Sequence, residues 1–296
     1  MITCLGVVWK LTGVVGLKSG DKLPRLSLDL SRDQIKAAPV SAVATHCRGQ
    51  VSETRPRRKV SVLTFGSKAA HCLARPPMSI EAATVGYYAD RACEYERIYQ
   101  KPERQADLRT LRSFVEHIFA ATDVLEIACG TGYWTEILAR SARSVVASDI
   151  NEEALAVARS KRYAQTVTFQ REDAYALPLF SQRFTAGLSA FWWSHIPKAK
   201  LSVFLRGFHR VFSPGARIVF IDNRYVHGSS TPVSYTDEHG NTYQMRRLDN
   251  GSTHEVLKNF PSEPDLRAAV EDLASDVEVE LLQYYWILSY VPRGTS

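Results

Sequence analysis

The sequence has no CxxC pair, and its five cysteines, Cys4, Cys47, Cys72, Cys93 and Cys129, are odd in number. That usage speaks against a disulfide framework and against a structural zinc, and it suits a reducing compartment. No apolar run near the start is long enough to span a bilayer, because Lys10 breaks the stretch from Ile2 to Leu17. The same stretch lacks the basic flank and small-residue cleavage site of a secretory signal. No Gly-Lys-Ser/Thr follows the one informative glycine turn, so a P-loop is excluded. An excess of basic charge is also missing from most of the chain. Residues 1–77 hold 13 Lys/Arg against 4 Asp/Glu, whereas residues 78–296 hold 24 against 27. The overall +6 therefore sits in the first quarter, and the remainder shows no basic stripe for nucleic acid.

What is present begins with Val124-Leu125-Glu126-Ile127-Ala128-Cys129-Gly130-Thr131-Gly132-Tyr133-Trp134. An apolar run ends in an acidic residue, then a small-residue turn, then a helical pattern. A turn of this kind brings backbone N–H groups against a ligand at a helix start. Seventeen residues past Gly132 a second apolar run ends in Asp149, an acidic tip that suits a ribose diol. A dinucleotide fingerprint would need a third small residue, but Tyr133, Trp134 and Thr135 follow instead. Glu126 would also sit badly beside a pyrophosphate and suits a cofactor carrying positive charge.

These residues resemble the first motif of the class I S-adenosylmethionine-dependent methyltransferases, with Ala128 where a glycine usually stands. The likeness continues through Ser148-Asp149-Ile150, Glu172-Asp173-Ala174, Leu188-Ser189-Ala190-Phe191-Trp192-Trp193 and Phe212-Ser213-Pro214-Gly215-Ala216. The small-molecule enzymes of the ubiquinone and menaquinone biosynthesis type are the most similar. The resemblance implies S-adenosyl-L-methionine as cofactor. It implies contacts from Glu126, Ala128, Gly130 and Gly132 to the methionine part, from Asp149 and Ile150 to the ribose, and from Asp173 and Ala174 near the adenine, with Ala190 a further cofactor contact. Tyr88 in the first helix is a candidate to close over the methionine part, with Tyr87 or Tyr99 as alternatives. Taken singly, these features have plainer readings: Asp149 as a helix cap, Asp173 as a turn residue, Tyr95 and Tyr99 as helix packing.

On the acceptor side, His195 just past the fourth strand is the candidate general base. Trp192, Trp193, Asn223 and Tyr225 are candidate substrate contacts. Arg246 and Arg247 are candidates to meet an anionic acceptor, with strand alternation allowing only one of them to face it. No Asn/Asp-Pro-Pro-aromatic tetrad, glutamate pair or acidic cluster marks a DNA, arginine or magnesium-dependent methylating enzyme. A small acceptor and no metal are expected. The competing classes are an NAD-type oxidoreductase and a non-catalytic cofactor-binding module.

The alternation of patterns predicts a Rossmann-like, doubly wound, mostly parallel seven-stranded sheet. Strands are expected at 123–128, 144–148, 166–171, 184–190, 216–222, 276–282 and 284–291. Helices are expected at 79–100, 103–121, 133–142, 151–163, 197–211 and 262–274. Residues 223–261 read as a β-rich insertion over the site, with Asn250-Gly251 as a hairpin turn. Residues 1–77 read as an extension without its own fold, Met78 being the natural start of a cytoplasmic methyltransferase domain over 78–296. A transit peptide and a nucleic-acid-binding tail are the other readings of that segment.

Overall fold

The structure, a computed structural model, describes residues 79–293 apart from Gln182. The expectations for residues 1–77 and for Met78 lie outside the described residues.

The sheet is built in the order β3-β2-β1-β4-β5-β10-β9. Its strands are β1 Asp123–Ile127, β2 Ser144–Asp149, β3 Val167–Arg171, β4 Phe184–Ala190, β5 Phe212–Asn223, β9 Ala274–Leu281 and β10 Tyr285–Pro292. β1 to β5 pair in parallel, and β10 runs antiparallel to both β5 and β9. β1 is buried along almost its whole length because both sheet faces are covered. Leu108, Leu111, Val115, Ile137 and Leu155 pack on one face, from helices α2 Gln105–Ile118, α3 Tyr133–Leu138 and α4 Glu152–Ser160. Phe204, Leu205, Phe208, Leu266 and Val270 pack on the other, from α5 Leu201–His209 and α6 Glu263–Val270. In β1 the strand alternation sends Val124 to the first face and Leu125 and Ile127 to the second. Gly187 in the middle of β4 is required by packing, since a Cβ there would lie 2.4 Å from the Phe212 ring.

The helix predicted over 79–100 divides in two. α1 Ile80–Arg91 starts at Ser79, whose side chain accepts from the Ala82 amide at 3.2 Å. Ala92–Gln100 then continues as a 3-10 helix. With three residues per turn, Ala92, Tyr95 and Ile98 align on one face. They extend a stripe that Glu81, Thr84, Val85 and Tyr88 begin at i, i+3, i+4 and i+7 spacing in α1.

Between β5 and α6 lies a separate antiparallel sheet of β6 Tyr235–Thr236, β7 Thr242–Arg247 and β8 Thr253–Leu257. Gly251 takes φ +86° in the β7–β8 connection, as the Asn250-Gly251 signal requires. Tyr87 of α1 packs with Leu248 and Val256. Helix and insertion thus form one cover, with Lys258 and Asn259 anchoring it below.

Candidate active site

The carboxyl ends of β1, β2, β3 and β4 open into a cavity of about 400 Å³, the place where open α/β sheets bind ligands. Ala128, Gly130 and Thr131 border it after β1, Asp149 and Ile150 after β2, Asp173 and Ala174 after β3, and Ala190 after β4. Tyr88, Tyr95 and His195 close the remaining side. The turn after β1 is wound tightly: Ala128, Gly130 and Gly132 all have positive φ, at 52°, 56° and 80°. A glycine preference at position 128 follows directly, since alanine in the left-handed region costs roughly 1–2 kcal/mol. Phe191 at the tip of β4 also has φ 64°, a strained conformation of the kind that gathers at functional sites.

Asp149 holds this turn together. Its Oδ2 accepts from the Gly130 amide at 2.8 Å and its Oδ1 from the Asn151 amide at 2.9 Å. A carboxylate has about four acceptor positions, so lone pairs remain for a diol. Burial raises the Asp149 carboxyl, against the opposing effect of those backbone N–H groups. Asp173 is exposed and accepts from the Tyr175 amide at 2.9 Å, so the turn reading of that residue holds alongside its place on the cavity wall. Buried polar atoms without a protein partner among the described residues include Tyr175 Oη and Trp192 Nε1, and both residues border this cavity. A polar ligand would relieve them.

Two residues of the first motif do not reach the wall. Glu126 is 1% exposed and lies beneath α3, its Oε2 accepting from Thr135 Oγ1 at 2.5 Å. Burial pushes its carboxyl up to about 8, with the Thr135 bond opposing. Gly132 faces α4, where a Cβ would meet Tyr163 Oη at 2.4 Å. Its role in the structure is to pack the helix against the turn.

His195 is buried in the short 3-10 turn Trp193–His195. Its Nδ1 lies 2.6 Å from the Leu257 carbonyl, which can only accept, so Nδ1 carries the proton. Nε2 is then the acceptor for the Tyr88 hydroxyl at 2.8 Å. Burial first, then the Lys258 and Arg246 charges, hold the imidazole well below its ordinary pKa. It is a neutral base at neutral pH. Desolvation raises the Tyr88 phenol, which keeps its proton to donate.

A second cavity, about 280 Å³, shares Tyr88, Tyr95 and Phe191 with the first. Asn223, Arg104, Arg246 and Lys258 border it. Lys258 forms a buried ion pair with Asp222 at 2.8 Å, and Asp222 also accepts from the Ser194 amide and hydroxyl. Burial alone would raise Asp222, but Lys258 outweighs it and keeps the carboxylate ionised. Asn223 Oδ1 accepts from Arg104 at 2.9 Å.

Several acceptor-side expectations change. Trp193 is core, packed edge-on to Phe220 and Trp286, while its chain neighbour Trp192 takes the cavity side. Trp192 packs edge-on to Tyr175, beside Asp173 and Ala174, and so borders the first cavity and not the second. Tyr225 is 42% exposed against Phe260 and borders neither cavity. Tyr95 borders both, where helix packing alone was expected. Both Arg246 and Arg247 border the second cavity, Arg246 half-buried near the Tyr88 hydroxyl and Arg247 exposed. Arg104 and Lys258 carried no local sequence signal, lying far from any motif.

A family model described as a methyltransferase domain matches residues 124–215. Residues 124–215 thus carry a methyltransferase domain. A demethylmenaquinone methyltransferase of Lactiplantibacillus plantarum is 29% identical to it over 113 residues, 36% of this chain and 47% of that protein. The match thus spans about half the length of that curated relative. The solved DhpI–SAH complex is 26% identical, covering 72% of this chain and 96% of its own, with a TM-score of 0.58. The DhpI–SAM–HEP complex is 23% identical over 74% of this chain and all of its own, with a TM-score of 0.61. In the methyltransferase domain the matched residues hold β1 to β4 and every turn bordering the first cavity from below.

Proposed function

We propose that the chain transfers a methyl group from S-adenosyl-L-methionine to a small organic acceptor. The observation that carries this reading is one continuous cavity running from the tips of β1, β2 and β3 to the Tyr88–His195 hydrogen bond. Asp149 and Ile150 would hold the ribose, Asp173 and Ala174 the adenine, and Ala128, Gly130 and Thr131 the methionine part. When bound, the cofactor supplies an electrophilic methyl on a sulfonium. Alignment of acceptor and methyl then does most of the catalytic work. Tyr88 and Tyr95 present electron-rich rings, which suit a sulfonium. His195 accepts the proton of an acceptor that must lose one, directly or through the Tyr88 hydroxyl. Leu257 O stabilises the imidazolium formed by accepting from Nδ1.

The insertion at 223–261 and α1 form the cover over the acceptor side, and residues 78–296 are the functional unit. A cytoplasmic, reducing compartment suits the buried free thiol of Cys129 in the cofactor turn. No helix among the described residues is long and apolar enough to cross a membrane. Transfer of a radiolabelled methyl group from the cofactor into a panel of small acids, phenols and amines tests the activity. Label should appear in at least one acceptor class, and its absence from every acceptor in a chain that binds the cofactor would contradict the reading.

A further inference from the structure

The second cavity is lined by Arg91, Lys101, Arg104, Arg246, Arg247 and Lys258, with Glu94 as its one carboxylate. Glu94 is already engaged, accepting from the Asp249 amide at 3.3 Å and lying 3.7 Å from Arg97. The Lys258 charge is matched by Asp222. Among the described residues none of the five other cations pairs with a carboxylate. Arg104 is 6% exposed, and among the described residues its guanidinium is held by Ser229, Asn223 and the faces of Tyr284 and Tyr285. Arg246 is half-buried, with its guanidinium on Gln244 Oε1 at 2.7 Å and over the Tyr87 ring. Lys101 donates to the Ser229 carbonyl. Cations removed from water without a counter-charge are costly. A cavity that holds Arg104 buried and Arg246 half-buried in this way is built for an anion that arrives from outside, and guanidinium forks suit planar or tetrahedral oxyanions.

We propose that this cavity is the acceptor pocket and that the acceptor docks by a carboxylate or phosphate group between Arg104 and Arg246. The proposal rests on the methyl-transfer reading above. The oxyanion is the docking group. It places the rest of a small acceptor at Tyr88, Tyr95 and Phe191, the three residues common to both cavities, from where an accepting atom reaches the cofactor side. The wall of mixed polar and aromatic residues leaves room for a molecule of only modest size.

Calorimetric titration of the full chain with inorganic phosphate and with acetate, at ionic strength matched by chloride, tests this. One saturable site is expected for at least one anion, weakened about tenfold or more by Arg246→Gln and by Arg104→Gln. Tighter phosphate binding would assign a phosphoryl acceptor, and tighter acetate binding a carboxylate. S-adenosylmethionine affinity should not fall at saturating anion, since the two cavities have only Tyr88, Tyr95 and Phe191 in common and the docking arginines border the second alone. Arg104→Gln also removes the hold on Ser229 and Asn223, so if that variant fails to fold, Arg246→Gln decides alone. Absence of saturable binding, indifference to Arg246→Gln, or competition between anion and S-adenosylmethionine would each overturn the proposal. Anion failure in a chain that binds S-adenosylmethionine overturns only this inference. Anion binding in a chain that does not bind it overturns the methyl-transfer reading instead.

Discussion

The Tyr88 hydroxyl donates to His195 Nε2 at 2.8 Å, joining α1 of the cover to the turn that follows β4 in the sheet. The bond fixes the cover over both cavities and gives the imidazole a defined tautomer. If the accepting atom carries a proton, Tyr88→Phe and His195→Ala should each slow single-turnover methyl transfer by about 10²–10⁴-fold. Affinity for S-adenosylmethionine should change far less. Because the imidazole is held well below its ordinary value, the wild-type rate should be flat between about pH 6 and 8. A rate that rises through an apparent pKa near 6.5 would mean that His195 titrates like a solvated imidazole, against its burial.

Lys258 and Asp222 form the polar anchor of the insertion. Removing one partner leaves an unpaired buried charge, so Lys258→Met should destabilise the fold by about 3–5 kcal/mol in a denaturant titration. Adding Asp222→Asn to that variant should restore part of the loss. A single variant as stable as wild type would show that the pair is not closed in solution.

Glu126 gives a pH signature of its own. Its folded pKa is raised from 4.5 to about 8, so its contribution is complete below 4.5 and is lost as pH rises through about 8. Across that window the unfolded chain releases a proton that the folded chain retains. Wild type should therefore lose up to about 1.4 kcal/mol per pH unit relative to Glu126→Gln. Parallel stability curves for the two proteins between pH 5 and 8 would mean that Glu126 is ionised in the fold.

Asp149→Ala should weaken S-adenosylmethionine binding by about tenfold or more, since charge-assisted bonds contribute roughly 1.5–3 kcal/mol each. The same change frees the Gly130 amide, so a modest fall in Tm should accompany it. A fall in Tm with unchanged affinity would make Asp149 a cap for the turn and nothing more.

The sheet was legible in the sequence because its central strands β1, β2, β4 and β5 are apolar runs bounded by helical or turn patterns, and all seven strands lie where the pattern puts them. Asp149, Ala128 and Gly130 were legible because the turn chemistry is local. Glu126 shows the limit of a motif: its position is right, but strand alternation turns its side chain under α3. Trp193 and Tyr225 illustrate the same limit, because residues one or two apart at a strand end diverge in ways the local pattern does not fix. Arg104 and Lys258 meet Asn223 and Asp222 across more than 30 residues of chain, which no periodicity reports.

Calorimetric titration of the full chain with S-adenosylmethionine and, separately, with NAD tests the assignment most directly. Saturable binding of one S-adenosylmethionine per chain, weakened in Asp149→Ala, with no heat from NAD, is the expected result. Tight NAD binding with no response to S-adenosylmethionine or its demethylated product would contradict it.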